Sequence, residues 1–289
     1  MSPLVVIVGE TASGKSRLAH SLALKLGGEI ISADSWAVYK GFNIGTAKPS
    51  ARERAEVAYH GLDIADPAVG FSAVEFQRLA QAAIEDISSR GKLPIIVGGT
   101  GLYIDSILYD YSFLPATDAN LRSELDALSL EGVLQRAEEL GLDTTDIDLR
   151  NKRRVIRLIE NNGIRPSRQK LRENTIVLGL QLPREDLEMR MAKRIDAMLA
   201  AGLEDEVRRL ADRYSWEAEP MKGIGYREFK LYFDGQQTLT EVRERIIRST
   251  VQLAKKQRTW FKRNKSIHWL SNRDIFTESV DFITTNLHT

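Results

Sequence analysis

The chain has 289 residues, 43% of them apolar and 28% charged, with a formal net charge of +1, which suits one sizeable α/β domain with a smaller insertion or second domain. The absence of cysteine excludes disulfides and thiolate chemistry, and the scattered His20, His60, His268 and His288 offer no metal cluster, so any metal is expected to be a hard cation held by oxygens and phosphate. No apolar run approaches the roughly 20 residues of a membrane helix and the chain opens on a buried-type strand, so the expectation is a cytoplasmic protein with no membrane association and no evident obligate protein partner.

The apolar run Leu4 to Val8 predicts a strand, and Leu18, Leu22 and Leu26 at helical spacing predict a helix from Lys15 to Leu26. Between them stands Gly9-Glu10-Thr11-Ala12-Ser13-Gly14-Lys15-Ser16, a phosphate-binding loop in its proper strand-to-helix setting. Backbone N–H groups and the start of the helix point at one spot there, and a polyanionic phosphate supplies their missing partners. Lys15 adds a point charge, and the Ser16 hydroxyl can reach a Mg²⁺ ion. A second strand follows at Glu29 to Ala33, then a helix at Ala73 to Ser89. A third strand, Leu93 to Val97, opens into Gly98-Gly99-Thr100-Gly101. Short β-branched runs separated by helices indicate a parallel sheet covered on both faces, a P-loop-like α/β core. Ligands in such folds sit beyond the carboxyl ends of the strands, which collects Gly9 to Ser16, Asp34-Ser35 and Gly98 to Gly101 onto one rim.

Strand signal then disappears from about Ser112 to Glu173. Pro115 and the turn-like Thr117-Asp118 introduce a helical, heavily charged stretch. Thr175 to Leu182 returns as a buried-type strand, and Pro183 opens a long helix that stops near Gly202. The organisation expected is a first part of the core at 1–112, an all-helical insertion at 113–173, and the remainder of the core at 174–289. Charge is polarised along the chain. Residues 118–148 are acidic, including Asp146, whereas 150–172 carry Arg150, Lys152, Arg153, Arg154, Arg157, Arg165, Arg168, Lys170 and Arg172 against Glu160 alone. A second basic block, Arg243 to Arg263, is interleaved with Trp260 and Phe261. One such block is commonly a solvated helix face, but two of them in a phosphate-binding chain fit a nucleic-acid footprint, with phosphates supplying affinity and aromatics stacking on bases.

On the rim, Asp34 can serve as a general base, as a Mg²⁺ ligand through water, or as a cap for the next segment. Thr100 can hydrogen-bond a phosphate or the bridging oxygen of a leaving group, or act only as a turn residue. The third strand lacks the terminal Asp with which a nucleotide hydrolase holds Mg²⁺, and this argues against ATP hydrolysis.

Several segments in order resemble the tRNA dimethylallyltransferase family. They are Gly9 to Ser16, Ile31-Ser-Ala-Asp-Ser35, Val38 to Pro49, His60 to Pro67, Pro94 to Tyr103, Arg153-Arg-Val-Ile-Arg157, Arg194 to Met198, Gly223 to Tyr226, Ala254 to Phe261, and His268-Trp269. The resemblance covers essentially the whole chain. It implies transfer of the five-carbon group of dimethylallyl diphosphate to N6 of the adenosine just 3′ of the anticodon in tRNAs reading U-initial codons. The phosphate loop would then hold the diphosphate of the prenyl donor, with Mg²⁺ on Ser16. Asp34 would be the base, and Thr100 would join Lys15 and the loop N–H groups in stabilising the departing diphosphate. The tRNA anticodon stem-loop would meet Asp34, Ser35, Trp36, Ala37, Thr100, Arg122, Arg153, Arg154, Val155, Ile156 and Arg157, with the insertion gripping the stem-loop and the Arg243 to Arg263 helix lining the channel.

Glu10 departs from the family's usual proline and puts a negative charge near the diphosphate, which is expected to weaken binding slightly. The Cys/His zinc module of eukaryotic relatives is absent, which resembles the bacterial type. Three alternatives remain open at the level of sequence: a P-loop kinase of a small metabolite, an adenylate isopentenyltransferase making a free cytokinin, and an RNA-binding protein with a vestigial loop.

Overall fold

The computed structural model describes residues 1–289 except 115–117, 146, 168, 272–273 and 288–289, so Pro115, Thr117, Asp146, Arg168 and His288 of the sequence reading lie outside the described residues. The described residues form two compact units. One comprises Met1–Leu108 with Leu171–Thr289, and the other Tyr109–Lys170.

The larger unit is built on a six-stranded sheet. In chain order it contains β1 (Leu4–Gly9), α1 (Lys15–Leu26), β2 (Gly28–Ala33), α2 (Ala51–Glu56), β3 (Tyr59–His60), α3 (Ala73–Ser89), β4 (Leu93–Gly98) and α4 (Gly101–Leu108). The spatial order is β3-β2-β4-β1-β5-β6, where β5 is Thr175–Leu180 and β6 is Ile267–Trp269, and every neighbouring pair is parallel. All six residues of β1 are buried, as a central strand covered on both faces requires. Its register pairs Val8 with Gly98 and Gly9 with Leu180, while Ala33 pairs with Gly98. The carboxyl ends of β1, β2, β4 and β5 therefore finish level, and the loops after β1, β2 and β4 emerge on one rim.

The smaller unit holds α5 (Ala119–Ala127), α6 (Leu130–Glu139) and α7 (Lys152–Glu160). Leu125, Val133, Ala137, Val155, Ile156 and Ile159 form its core. Its limits fall a few residues before the expected 113–173, because the two connecting segments pair with each other: Gln169 N–H donates to the Tyr109 carbonyl and Ser112 N–H to the Ser167 carbonyl.

The remainder of the larger unit adds α8 (Arg184–Ala200), α9 (Leu203–Arg213), α10 (Lys230–Phe233), α11 (Leu239–Phe261) and α12 (Ile275–Asn286). The strand expected at 175–182 ends at Leu180, and Pro183 is the N-cap of α8. Two apolar clusters hold the unit together. One packs α1 and α12 on the sheet through Leu18, Leu22, Ile30, Ile95, Leu178 and Ile283. The other joins the Val38–Phe42 segment to α8, α9 and α11 around Tyr226 and Phe229. Among the described residues no helix is long and apolar enough to cross a membrane.

Candidate functional site

A cleft of about 930 Å³ opens over the carboxyl ends of the strands, and every residue lining it belongs to the larger unit. The phosphate loop forms one wall through Thr11, Ala12, Gly14, Lys15 and Ser16. Opposite stand Asp34, Ser35, Trp36 and Ala37 after β2, with Gly98 to Gly101 after β4. Arg190 and Arg194 of α8, and Lys256, Gln257 and Trp260 of α11, complete the lining.

The end of α1 in this cleft is chemically unfinished. Helices α2, α3 and α11 begin with capping boxes on Ser50, Ser72 and Thr238. By contrast the N-cap of α1 is Gly14, at φ 100°, with no side-chain cap. Only glycine adopts that backbone readily, and the first-turn N–H groups are left facing the cleft with the positive end of the helix dipole. An anion placed there supplies the cap. Ser13 Oγ, buried in the same loop, has no hydrogen-bond partner among the described residues.

The charges agree. Burial, reinforced by the nearby Arg194 guanidinium, lowers Lys15 from 10.5 to about 8, against the opposing pull of Asp34 and Glu10. Burial also lowers the pKa of Arg194, which Asp34 partly offsets. Arg194 reaches the Thr11 hydroxyl at 3.5 Å, and Lys15 Nζ donates to the Glu10 carbonyl at 3.2 Å. Two cations held together at a cost in desolvation, beside an uncapped helix, make a receptor for a multiply charged anion.

Asp34 Oδ1 accepts the N–H groups of Trp36 at 2.9 Å and Ala37 at 3.2 Å, so the capping role considered from sequence is real for one oxygen. Among the described residues, Oδ2 has no hydrogen bond and is left for chemistry. Thr100 Oγ1 accepts the Ser35 N–H at 3.2 Å and its hydroxyl donates to Ser35 Oγ at 3.3 Å, which ties the turn after β4 to the segment after β2. Trp36 is anchored at its outer edge, its indole N–H donating to the Pro220 carbonyl at 3.0 Å.

Three loop residues differ from expectation. Gly9, Glu10 and Ser13 are buried beneath the cleft and do not line it. Glu10 is only 3% exposed, and its carboxylate receives Arg258 Nε at 2.6 Å and Nη2 at 2.9 Å. That pair offsets its charge, which reduces the weakening of diphosphate binding expected from it. In the smaller unit Val155 and Ile156 are 0% exposed and belong to the core, because on α7 they occupy the apolar face; their side chains cannot meet RNA. Arg122 is already engaged by Asp126 at 2.8 Å and Glu160 at 3.2 Å, and Arg157 reaches the same Glu160 at 3.1 Å. Arg153 and Arg154 lie on the exposed face of α7.

Sequence reading missed Arg190, Arg194, Lys256 and Gln257 as individual cleft residues. Arg194 and the segment from Ala254 to Phe261 stood in the segments that carried the family resemblance, yet only folding shows that α8 and α11 run past the phosphate loop. For a metal, no cluster of His, Cys, Asp and Glu able to hold one exists among the described residues. Ser16, exposed in the cleft, and Asp34 offer oxygen donors that fit a hard cation completed by phosphate oxygens and water.

The profile of the IPP transferase family matches residues 37–264. The chain belongs to that family. Among IPP transferase relatives, the tRNA dimethylallyltransferase of Anoxybacillus flavithermus is 40% identical over 293 aligned positions, covering 97% of this chain and 94% of the relative. The crystal structure of the full-length tRNA isopentenylpyrophosphate transferase from Bacillus halodurans superposes with a TM-score of 0.77 at 35% identity, over 99% of this chain and 97% of that one. A structure of a eukaryotic dimethylallyltransferase acting on tRNA gives a TM-score of 0.83 at 26% identity, over 100% of this chain and 81% of that one.

Proposed function

We propose that this IPP transferase transfers the dimethylallyl group of dimethylallyl diphosphate to N6 of the adenosine 3′-adjacent to the anticodon in tRNAs reading U-initial codons, releasing diphosphate. The observation that carries this reading is the pairing, across one cleft, of an uncapped helix start flanked by Lys15 and Arg194 with a carboxylate whose Oδ2 is uncommitted.

The diphosphate sits on the loop N–H groups, Lys15 and Arg194, and Ser16 would hold a Mg²⁺ ion. That ion, when bound, supplies further charge neutralisation on the departing oxygens. The adenine amine attacks the allylic C1 as the C–O bond to diphosphate breaks. Asp34 takes the N6 proton on Oδ2, with Oδ1 held by two backbone N–H groups so that the carboxylate cannot rotate away. An exocyclic adenine amine is a poor nucleophile, and a positioned base contributes typically ~10²–10⁴-fold. Lys15 and Arg194 meet the charge that grows on the leaving group, in a site where screening by water is reduced. The target base must leave the stack of the anticodon loop to reach the cleft, at a cost of about a few kcal/mol, and Trp36 and Trp260 offer aromatic faces to receive it. Arg153 and Arg154 of the helical unit contact RNA phosphates.

The test is transfer of radiolabelled dimethylallyl diphosphate with Mg²⁺ to an anticodon stem-loop bearing the target adenosine, beside AMP, ADP and ATP. Label on the RNA alone supports the proposal. Label on the free nucleotide moves the activity to cytokinin synthesis, and no label anywhere returns the kinase reading.

A further inference from the structure

Gln257 of α11 is buried, and the two ends of its amide bind the backbone of two different walls of the cleft. Oε1 accepts the Thr11 N–H at 2.8 Å, and Nε2 donates to the Gly99 carbonyl at 3.1 Å. Turning the amide over would set oxygen against carbonyl and N–H against N–H, so its orientation is fixed by chemistry. Gly99 has no room for a side chain, because an added Cβ would land on the Gln257 amide nitrogen. The next residue fixes the helix itself, Arg258 gripping Glu10 with two bonds and the Leu182 carbonyl with a third at 3.1 Å. Three residues along, the Trp260 indole N–H donates to Asp105 of α4 at 3.2 Å.

Thr11 leads into the loop that carries Lys15 and Ser16. Gly99 precedes Thr100, which bonds Ser35 beside Asp34. A continuous hydrogen-bonded path therefore joins the anion-binding wall to the carboxylate wall, and Gln257 is its central link. We propose that Gln257 is a positioning residue that sets the separation of these two walls, and with it the approach of the adenine amine to the allylic carbon. This inference rests on the prenyl-transfer reading. Reacting atoms must stand about 3–3.5 Å apart, and a misplacement of about 1 Å costs on the order of 10²-fold in rate. Each substrate keeps its own wall when the link is cut, so the loss falls on kcat.

Two variants test it. Gln257→Met keeps the length of the side chain and removes both bonds. Gln257→Glu keeps the acceptor for Thr11 and sets a second oxygen against the Gly99 carbonyl. In steady-state transfer of label to the stem-loop, Q257M is expected to lower kcat about 10–100-fold, with KM for either substrate within about threefold of wild type. For Q257E the ratio of its kcat to the wild-type value should rise as pH falls, because the introduced carboxyl, once protonated, can again donate to Gly99; a merely structural role would not show this. Wild-type kcat in Q257M overturns the inference, as does a loss confined to KM for the prenyl donor. If Q257M does not fold, a Q257E ratio that is flat with pH overturns it equally. A wild-type chain that transfers no label overturns the transfer reading and this inference with it, whereas an active wild type matched by Q257M overturns the inference alone.

Discussion

Asp34 divides its two oxygens between two tasks, and one substitution separates them. Asp34→Asn keeps an Oδ1 that accepts the Trp36 and Ala37 N–H groups but removes the base, so kcat should fall about 10²–10⁴-fold, a far larger loss than the change in diphosphate affinity read by a calorimetric titration. Asp34→Ala removes the cap as well and should also lower the melting temperature. Lys15 yields a pH prediction. Its folded-state pKa of about 8 lies below the ordinary 10.5, so between those values the unfolded chain binds more protons than the folded one. Stability of the unliganded protein from this group accordingly rises with pH across that window. Diphosphate binding needs the charged amine and runs the other way: affinity should fall as pH climbs through 8, and thermal stabilisation by diphosphate should be larger at pH 7 than at pH 9.5. Lys15 and Asp34 were legible in the sequence because Lys15 opens the helix after the phosphate loop and Asp34 directly follows β2, both on the rim where the parallel topology places a ligand. The fate of Glu10 was not legible, since its partner Arg258 lies 248 positions away.

At the scale of elements, α11 does more than the basic helix its sequence suggests. Its first half packs Val242 and Ile246 into the apolar cluster around Tyr226, and its second half brings Gln257 and Arg258 onto the phosphate loop. The Glu10–Arg258 pair is bidentate and its carboxylate is nearly inaccessible, so removing one partner strands a buried charge. Arg258→Met should destabilise the protein by about 3–5 kcal/mol in chemical denaturation, whereas Glu10→Gln combined with Arg258→Met should recover much of that loss. Equal destabilisation in the single and double variants would show that the pair contributes no such burial cost. The alternation of β-branched runs and helices gave β1, β2, β4 and β5 directly. Strands β3 and β6, two and three residues long, carry too little pattern to be read, and they exist only because β2 and β5 present free edges for them to pair with.

For the molecule as a whole, a near-zero net charge conceals a division of labour between an anion-binding core and a separately packed helical unit. The helical insertion was legible as a loss of strand signal, but its surface was not. The arginines of this unit look equivalent in sequence, and only folding shows that Arg122 of α5 and Arg157 of α7 are held by Glu160 while Arg154 is exposed on the outer face of α7. Two substitutions two positions apart on α7 should therefore fail in different ways. Arg154→Ala removes an exposed cation, so it should weaken stem-loop binding and reduce the slope of log K against log salt by about 1, leaving stability intact. Ile156→Ala removes a fully buried side chain, at a cost of about 2–5 kcal/mol, and should lower the stability of the helical unit. It should abolish RNA binding when that unit unfolds, while the core still binds diphosphate with wild-type affinity. Filter binding of the stem-loop across a salt series, beside diphosphate titration of the same variants, checks both. An Arg154→Ala protein with an unchanged salt slope would remove α7 from the RNA interface and leave the basic face of α11 to carry it.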